Sequence, residues 1–447
     1  MSRPPGEEGA SPVAGGKTWR GMGWMAAGAL ALAAAVVFVY QDAARSYFFN
    51  DDFQWLQSAY RFDAANFVRI ERYDHFYRPV IEIYFYLGHR FFGCDARSFH
   101  LLSIGIHLLV TLFVFLFARA LTGRRSFAAL AALFFALQPG YVEAVAWVGA
   151  ITDQLPALWY ILTLWLHLLF LQRRGAWLYA LSLASFVACL LTHESSATLL
   201  VMMLALEATV LWDARAPIPW RALARRAWRY APFALLLAGY LAIEFVVNTR
   251  SYVVKEGHYR FGWHAVPHAL DYIVSLYVGK RILVSYALVV AVCAALLVRG
   301  TPRVRLFVVW MIVTLAPASF FTWGNAGRYL YLPAVGFALL LAEAVMKGHA
   351  ILLRRLPPRS ALAITGVVVV GLVARFGVFA VKGSHDFRER TRPYEAYAAA
   401  LRRDNQAPRS GEVVYVGRKD AEPIPELYRE PAARVVFCTD NLRVEIR

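Results

Sequence analysis

Residues 98–118 read SFHLLSIGIHLLVTLFVFLFA, without one Asp, Glu, Lys or Arg. A helix rises about 1.5 Å per residue, so a run of about twenty apolar residues crosses the ~30 Å hydrocarbon layer of a bilayer. A barrel strand would alternate apolar with polar positions, and this run does not. Residues 21–40, 154–172 and 306–326 are likewise free of those charges. This repeated pattern predicts an all-α integral membrane protein.

Working outward, run length and charged flanks predict about eleven transmembrane helices. They fall near 21–40, 98–120, 126–142, 154–172, 176–192, 195–212, 230–247, 282–298, 306–324, 329–346 and 360–381. With a cytoplasmic N-terminus, the inner connections are 123–125, 173–175, 213–229, 299–305 and 347–359. Each holds at least two arginines, as the excess of positive charge on cytoplasmic loops requires. The short outer connections at 143–153, 193–194 and 325–328 hold a single Lys or Arg, Arg328. Lys280-Arg281 is the exception, expected outside. The organisation that follows is a disordered cytoplasmic segment at 1–20, a membrane domain at 21–381 with a first outer loop at 41–97, and an extracytoplasmic tail at 382–447. The first apolar run is too long for a signal peptide and reads as a retained helix. In the second long outer segment, 266–277 has the pattern of a helix lying along the interface. The tail reads as a small α+β appendage, with a helix at 384–403 and strand-like runs at 412–417 and 433–438.

Composition agrees. Hydrophobic residues make up 59% of the chain and charged residues 17%, where a soluble domain carries roughly a quarter charged. The net charge of +17 does not point to nucleic acid, because the basic residues cluster at the ends of apolar runs, where they set topology and meet lipid headgroups. Among four cysteines no metal-ligand spacing occurs. Cys189 and Cys293 fall inside apolar runs, whereas Cys94 and Cys438 come out on the same side, where a disulfide could join them.

Candidate chemistry gathers on the outer side. Asn50-Asp51-Asp52-Phe53 follows the first helix by about ten residues. Two adjacent carboxylates suit a general base, a ligand for a divalent cation, or both; the plain alternative is a solvated turn with an N-cap. Glu143 and Asp153 flank a short outer loop beside Trp147, and His193-Glu194 opens the next one. Ionisable groups at such depth either mark helix ends in water or do chemistry. Arg78 could hold a phosphate or pair with Glu82 one turn on. Arg328 stands alone between two apolar runs, placed for a lipid phosphate or for headgroup snorkelling; Arg375 has the same two readings. His100, His107 and His167 lie inside helices, where hydrogen bonding within the bundle is their expected role.

Four stretches together carry a resemblance: NDDFQWL at 50–56, YRPV at 77–80, QPGYVEAVAW at 138–147 and RYLYLPAVGF at 328–337. The chain resembles GT-C-class membrane glycosyltransferases, and within them the bacterial relatives of the membrane and tetratricopeptide-repeat O-mannosyltransferases, over most of residues 40–345. The resemblance implies a catalytic carboxylate at Asp51 or Asp52, with Glu143 as a second acid of the catalytic group. It further implies donor and phosphate contacts from Arg78, Asp153, His193, Glu194 and Arg328. The sequence departs from the family at Gln138 and Tyr141, where histidine is usual, at Ile151-Thr152, where Arg-Lys is usual, and in a short tail replacing the repeats.

The expected function is inverting transfer of a sugar from a polyprenyl-phosphate lipid to a hydroxyl of a protein or glycan acceptor. The expected setting is the outer face of a bacterial inner membrane, with membrane lipids as further partners and no nucleic acid. Two rivals remain: a transporter or lipid flippase, which would place charges at the bilayer midplane in repeated halves, and a non-catalytic glycan or cell-envelope assembly protein.

Overall fold

Each apolar run is bounded by residues that stop a helix. In the computed structural model, residues 16–60, 62–70, 76–211, 224, 226–277, 279–322 and 324–447 are described. The helix containing 98–118, α4 (Ala96–Thr122), follows α1 (Gly16–Val39), α2 (Asp52–Ala59) and α3 (Pro79–Phe92). Asp95 caps α4 by accepting the amide of Ser98 at 3.0 Å, and Gly123 ends it in the left-handed region at φ 70°, a conformation glycine takes without strain. The chain continues through α5 (Arg125–Ala136), α6 (Val142–Ala146), α7 (Ile151–Arg173), α8 (Ala176–Leu190), α9 (Leu199–Leu211) and α10 (Ala231–Asn248). Then come α11 (Ala265–Tyr277), α12 (Leu283–Arg299), α13 (Pro302–Ser319), α14 (Pro333–Leu352) and α15 (Pro358–Asp404).

A helix stands at each of the eleven expected positions, but their lengths differ from the expectation. Among the described residues six helices are long and apolar enough to cross a membrane, or up to seven if one bent pair counts as a span. Met25–Val39, Ala176–Leu190 and Leu283–Arg299 are shorter apolar helices. Most of the disorder expected at 1–20 falls on residues 1–15, outside the described residues; α1 starts at Gly16.

The bent pair corrects the helix expected at 126–142. It stops at Ala136 and resumes after Pro139, bent by 41°, because proline cannot supply the amide a continuous helix needs. The break exposes carbonyls that lipid cannot solvate. The Tyr141 hydroxyl donates to the carbonyl of Phe135, and His107 Nε2 donates to that of Ala136 at 3.1 Å. His107 Nδ1 in turn accepts from the Tyr331 hydroxyl at 2.8 Å. Gln138, like Tyr141 a position where the sequence resemblance would place a histidine, accepts the amide of Gly140 at 3.3 Å and donates to the carbonyl of Leu276 at 3.4 Å. Gln138 and Tyr141 therefore both have structural work at the break. His167 also bonds within the bundle, 3.2 Å from the Tyr230 hydroxyl.

The bundle is built on α4 against α5 and α7, α7 against α8, and α13 against α14. In the last pair Gly336 allows near backbone contact: a Cβ there would lie 2.7 Å from the carbonyl oxygen of Phe307. Trp310, fully buried, donates its indole N–H to the carbonyl of Leu332 at 2.9 Å.

The span expected at 360–381 and the helix expected at 384–403 are one helix, α15, of 47 residues. At 1.5 Å per residue it measures about 70 Å, so roughly half of it stands outside a bilayer. Beyond it lies the appendage. Strand β1 (Val413–Val416) forms where expected, but 433–438 is not a strand. That stretch belongs largely to helix α16 (Glu426–Val436), and β1 pairs in parallel with β2 (Arg443–Ile446), Val413 opposite Arg443. Parallel strands need a crossover connection; α16 provides it and buries Ala432, Ala433, Val435 and Val436. A disulfide joins Cys94 to Cys438, tying the turn between α3 and α4 to the end of α16.

Candidate functional site

The acid loop is set by its first residue. Asn50 takes the left-handed conformation at φ 47°, which asparagine tolerates better than most side chains. The turn sends the next two carboxylates in different directions. Asp52 is fully buried and accepts the amides of Phe49, at 2.8 Å, and of Gly149. A Cβ at Gly149 would stand 2.8 Å from Asp52 Oδ1, so only glycine leaves this space. Burial pushes the Asp52 carboxyl well above the usual range, against the pull of those amides. Asp51 holds the N-cap position of α2 but makes no side-chain cap bond. It lines a polar cavity of about 330 Å³ instead.

The same cavity is lined by Arg78, Asp153, His193, Glu194 and Arg328. Residues scattered over most of the chain thus converge, each from the end of an element: Arg78 before α3, Asp153 in the first turn of α7, His193-Glu194 after α8, Arg328 before α14. Glu143, on α6, joins the group by accepting from Arg328 Nη1 at 3.2 Å. The expected open loop at 143–153 is instead two short turns of helix, buried over Ala144–Ile151.

Both arginines depart from the plainer of their two readings. Arg78 does not pair with Glu82; it grips Glu194 with two hydrogen bonds, Nη2 to Oε1 at 2.7 Å and Nε to Oε2 at 3.1 Å. Burial alone would raise the Glu194 carboxyl, but the Arg78 guanidinium holds it down to about 2. A depressed carboxyl stabilises the fold above its ordinary range and loses that contribution only as pH falls toward 2. Arg328 is not alone either. Besides Glu143 it has Asp153 Oδ2 at 3.7 Å from Nε, and it stacks on Trp147 and Tyr329 at 4.9 and 4.7 Å. Snorkelling does not describe a guanidinium so enclosed. Arg375 lies apart, over Phe379 at 5.0 Å on an exposed stretch of α15.

His193 Nδ1 accepts the Ser195 amide at 3.1 Å. Burial, and then Arg78, push this imidazole down to about 3. It is neutral at physiological pH, with Nε2 3.6 Å from Glu194 Oε1. As for a cation, the Asp51-Asp52 pair points apart and the amides of Phe49 and Gly149 occupy Asp52. The one cluster of three ligand-type groups among the described residues is His89, Cys94 and Cys438, two of which form the disulfide.

A second cavity of about 780 Å³ adjoins the first; Phe76, Asp153, His193, Glu194, Phe321 and Tyr329 line both. Its far walls are largely apolar, from Leu241 and Phe245 on α10 to Pro317 and Leu332. Within it stands Glu244, 4% exposed, accepting from the Tyr240 hydroxyl at 2.9 Å. The sequence signal for Glu244 was an acid inside an apolar run. Nothing local signalled Tyr394 and Tyr428, whose hydroxyls donate to Asn50 and to Asp51, the latter at 2.6 Å across 377 residues.

No family model matches the chain. It is 32% identical over 99 residues to the protein O-mannosyl-transferase TMTC2 of Mus musculus, covering 22% of this chain and 12% of the mouse protein. It is 29% identical over 131 residues to the Xenopus laevis tmtc2, covering 28% and 16%. The chain thus spans well under a fifth of the length of these relatives. Among solved structures it is similar to ArnT from Cupriavidus metallidurans bound to undecaprenyl phosphate, with TM-score 0.54, 13% identity, and 95% of this chain and 86% of that one covered. It is also similar to the archaeal oligosaccharyltransferase AglB from Archaeoglobus fulgidus in complex with an inhibitory peptide and a dolichol-phosphate. There the TM-score is 0.51 at 14% identity, with 95% and 64% covered. The chain has the fold of the GT-C class.

Proposed function

We propose that the chain transfers a sugar from a polyprenyl-phosphate carrier to an acceptor hydroxyl at the extracytoplasmic membrane face, with inversion. The observation that carries this reading is the joined pair of cavities, one polar and holding Asp51, the other apolar and larger. A lipid-phosphate sugar has that polarity: its isoprenoid chain fits the apolar cavity and its head group the polar one. The structures of ArnT with undecaprenyl phosphate and of AglB with dolichol-phosphate support a carrier of this class.

The chemistry follows from the lining. Asp51 takes the proton of the acceptor hydroxyl as its oxygen attacks the anomeric carbon. The bond between that carbon and the phosphate oxygen breaks, and its electron pair leaves with the polyprenyl phosphate. The transition state is oxocarbenium-like. Negative charge grows on the departing phosphate, and Arg328, held among Glu143, Asp153, Trp147 and Tyr329, is placed to meet it. Asp153 Oδ2 is buried without a hydrogen-bond partner, so a sugar hydroxyl would satisfy it. Arg78 acts by fixing Glu194.

Two features favour the outer face. The described arginine-rich connections at 123–125, 173–175, 299–305 and 347–359 lie at the helix ends opposite the cavities. The Cys94–Cys438 disulfide, on the cavity side, belongs in an oxidising compartment. The acceptor is a protein or glycan hydroxyl.

The test is transfer from radiolabelled polyprenyl-phosphate sugars by purified protein in nanodiscs. Asp51→Asn should lower turnover by roughly a hundredfold or more, the scale of a lost general base. Full turnover in a folded Asp51→Asn protein would remove the assignment of the base. A wild-type protein that neither binds nor turns over any such lipid would remove the reading itself.

A further inference from the structure

The appendage reaches into the acid loop at two adjacent positions. Tyr394, on the outer half of α15, donates to Asn50 Oδ1, and Phe53 stacks on its ring at 5.4 Å. Tyr428, on α16, donates to Asp51 Oδ1 at 2.6 Å. Helix α16 lies against α2, whose N-terminus carries Asp51. The Cys94–Cys438 disulfide fastens the far end of α16 to the turn after α3, beside the Tyr60 hydroxyl at 3.0 Å from Cys94 Sγ. α2 is thus clamped from both sides by residues that arrive late in the chain.

A short phenol–carboxylate bond has two effects. It selects one rotamer of the aspartate, and it occupies one carboxylate oxygen, leaving the other for the acceptor hydroxyl. Burial and the neighbouring Asp51 charge both push the Tyr428 phenol up, which keeps it a donor. Without the phenol, Asp51 would be a loop side chain with no cap bond and free choice of rotamer.

We infer that Tyr428 is a positioning residue for Asp51, and that the disulfide-tethered appendage is a working part of the site rather than a separate domain. This rests on the glycosyl-transfer reading for its kinetic consequence, but the geometric claim can be tested without it. The partner surface is within the chain itself: α16 presents the phenol and the disulfide fixes its distance.

The experiment uses full-length protein in nanodiscs, as wild type, Tyr428→Phe, Asp51→Asn and the double variant. Two quantities are read: kinetics with a labelled polyprenyl-phosphate sugar, and backbone hydrogen exchange of peptides covering residues 49–56. Tyr428→Phe keeps the ring and removes only the hydroxyl. It should lower kcat by about tenfold with donor KM within about twofold, the signature of a group that acts on the reacting geometry and not on donor binding. Exchange over 49–56 should rise by about threefold or more, and the double variant should exchange no faster than Asp51→Asn alone, since the two side chains act through one bond. Wild-type kcat and wild-type exchange in Tyr428→Phe would overturn the inference. So would a lowered melting temperature with kcat and KM untouched, the result of a merely structural contact. If the wild-type protein transfers no sugar, the functional reading falls by itself. The exchange cycle then still decides, and additive effects in it would overturn the positioning role.

Discussion

Three consecutive side chains, Asn50, Asp51 and Asp52, go three ways, and this division decides what each substitution should do. Asp52 faces two backbone amides. Asp52→Asn turns one acceptor oxygen into a donor and sets it against an N–H. An unmade buried hydrogen bond costs about 1–3 kcal/mol, so thermal melting should show a clear loss of stability, with kcat much less affected than in Asp51→Asn. A stable Asp52→Asn protein with abolished turnover would reverse the two roles. At Arg328 the contacts are planar and several at once: Glu143, Asp153 and two aromatic faces. Lysine keeps the charge but not the fork or the stacking. Arg328→Lys should therefore retain part of the turnover and Arg328→Ala less, with the loss in kcat. If lysine serves as well as arginine, the guanidinium has no special part in leaving-group departure. The acid pair and Arg78 were readable in the sequence as charged residues of the first long loop, and Arg328 and the other acids as charges at the ends of apolar runs. What was not readable is direction: the split between Asp51 and Asp52 depends on the space left by Gly149, and the pairing of Arg78 on a partner in another helix.

At the scale of elements, the sequence gives helices well wherever a run is apolar along its whole length, because lipid leaves the backbone no other choice. It gives boundaries poorly where a proline or a parallel strand intervenes. Residues 433–438 have strand-like composition, yet they are helical because parallel pairing of Val413–Val416 with Arg443–Ile446 requires a crossover between the strands. The break before α6 was hidden because its cost is met by Tyr141, within the break, and by His107 from α4. Close helix contact is the testable feature here. Gly336→Val would press a side chain against the Phe307 carbonyl and Trp310. Overpacking of this kind costs about 1–3 kcal/mol. Gly366→Val, on α15 with nothing within 4 Å, is the matched control. Melting in detergent should be lowered by the first and not by the second; equal melting temperatures would mean that α13 and α14 do not approach as closely as described.

For the molecule as a whole, α15 offers the test of the proposed orientation. Its first residue comes just after Arg354-Arg355, and its last turn ends at Asp404 beside the appendage. Reporter fusions after Leu356 and after Asn405 should therefore lie on opposite sides of the membrane, the second outside. Fusions reporting the same side would refute both the orientation and the outer placement of the cavities. The same helix has a mechanical consequence. It is one helix of about 70 Å, continuous through Pro393, and its half beyond the bilayer is stitched to the first loop: Ser384 Oγ accepts the Ala43 amide at 3.1 Å, Thr391 Oγ1 the Tyr47 amide at 3.3 Å, and Tyr394 holds Asn50. A rod anchored in lipid at one end tilts when the hydrocarbon layer thins or thickens. Tilt at the foot becomes displacement at the head, where the aspartate sits. Turnover should accordingly peak at one acyl-chain length and fall on either side, measurable in vesicles of graded phosphatidylcholine chain length. A flat response would show that the bundle isolates the loop from its surroundings; a peaked one would make the protein a gauge of the membrane in which it works.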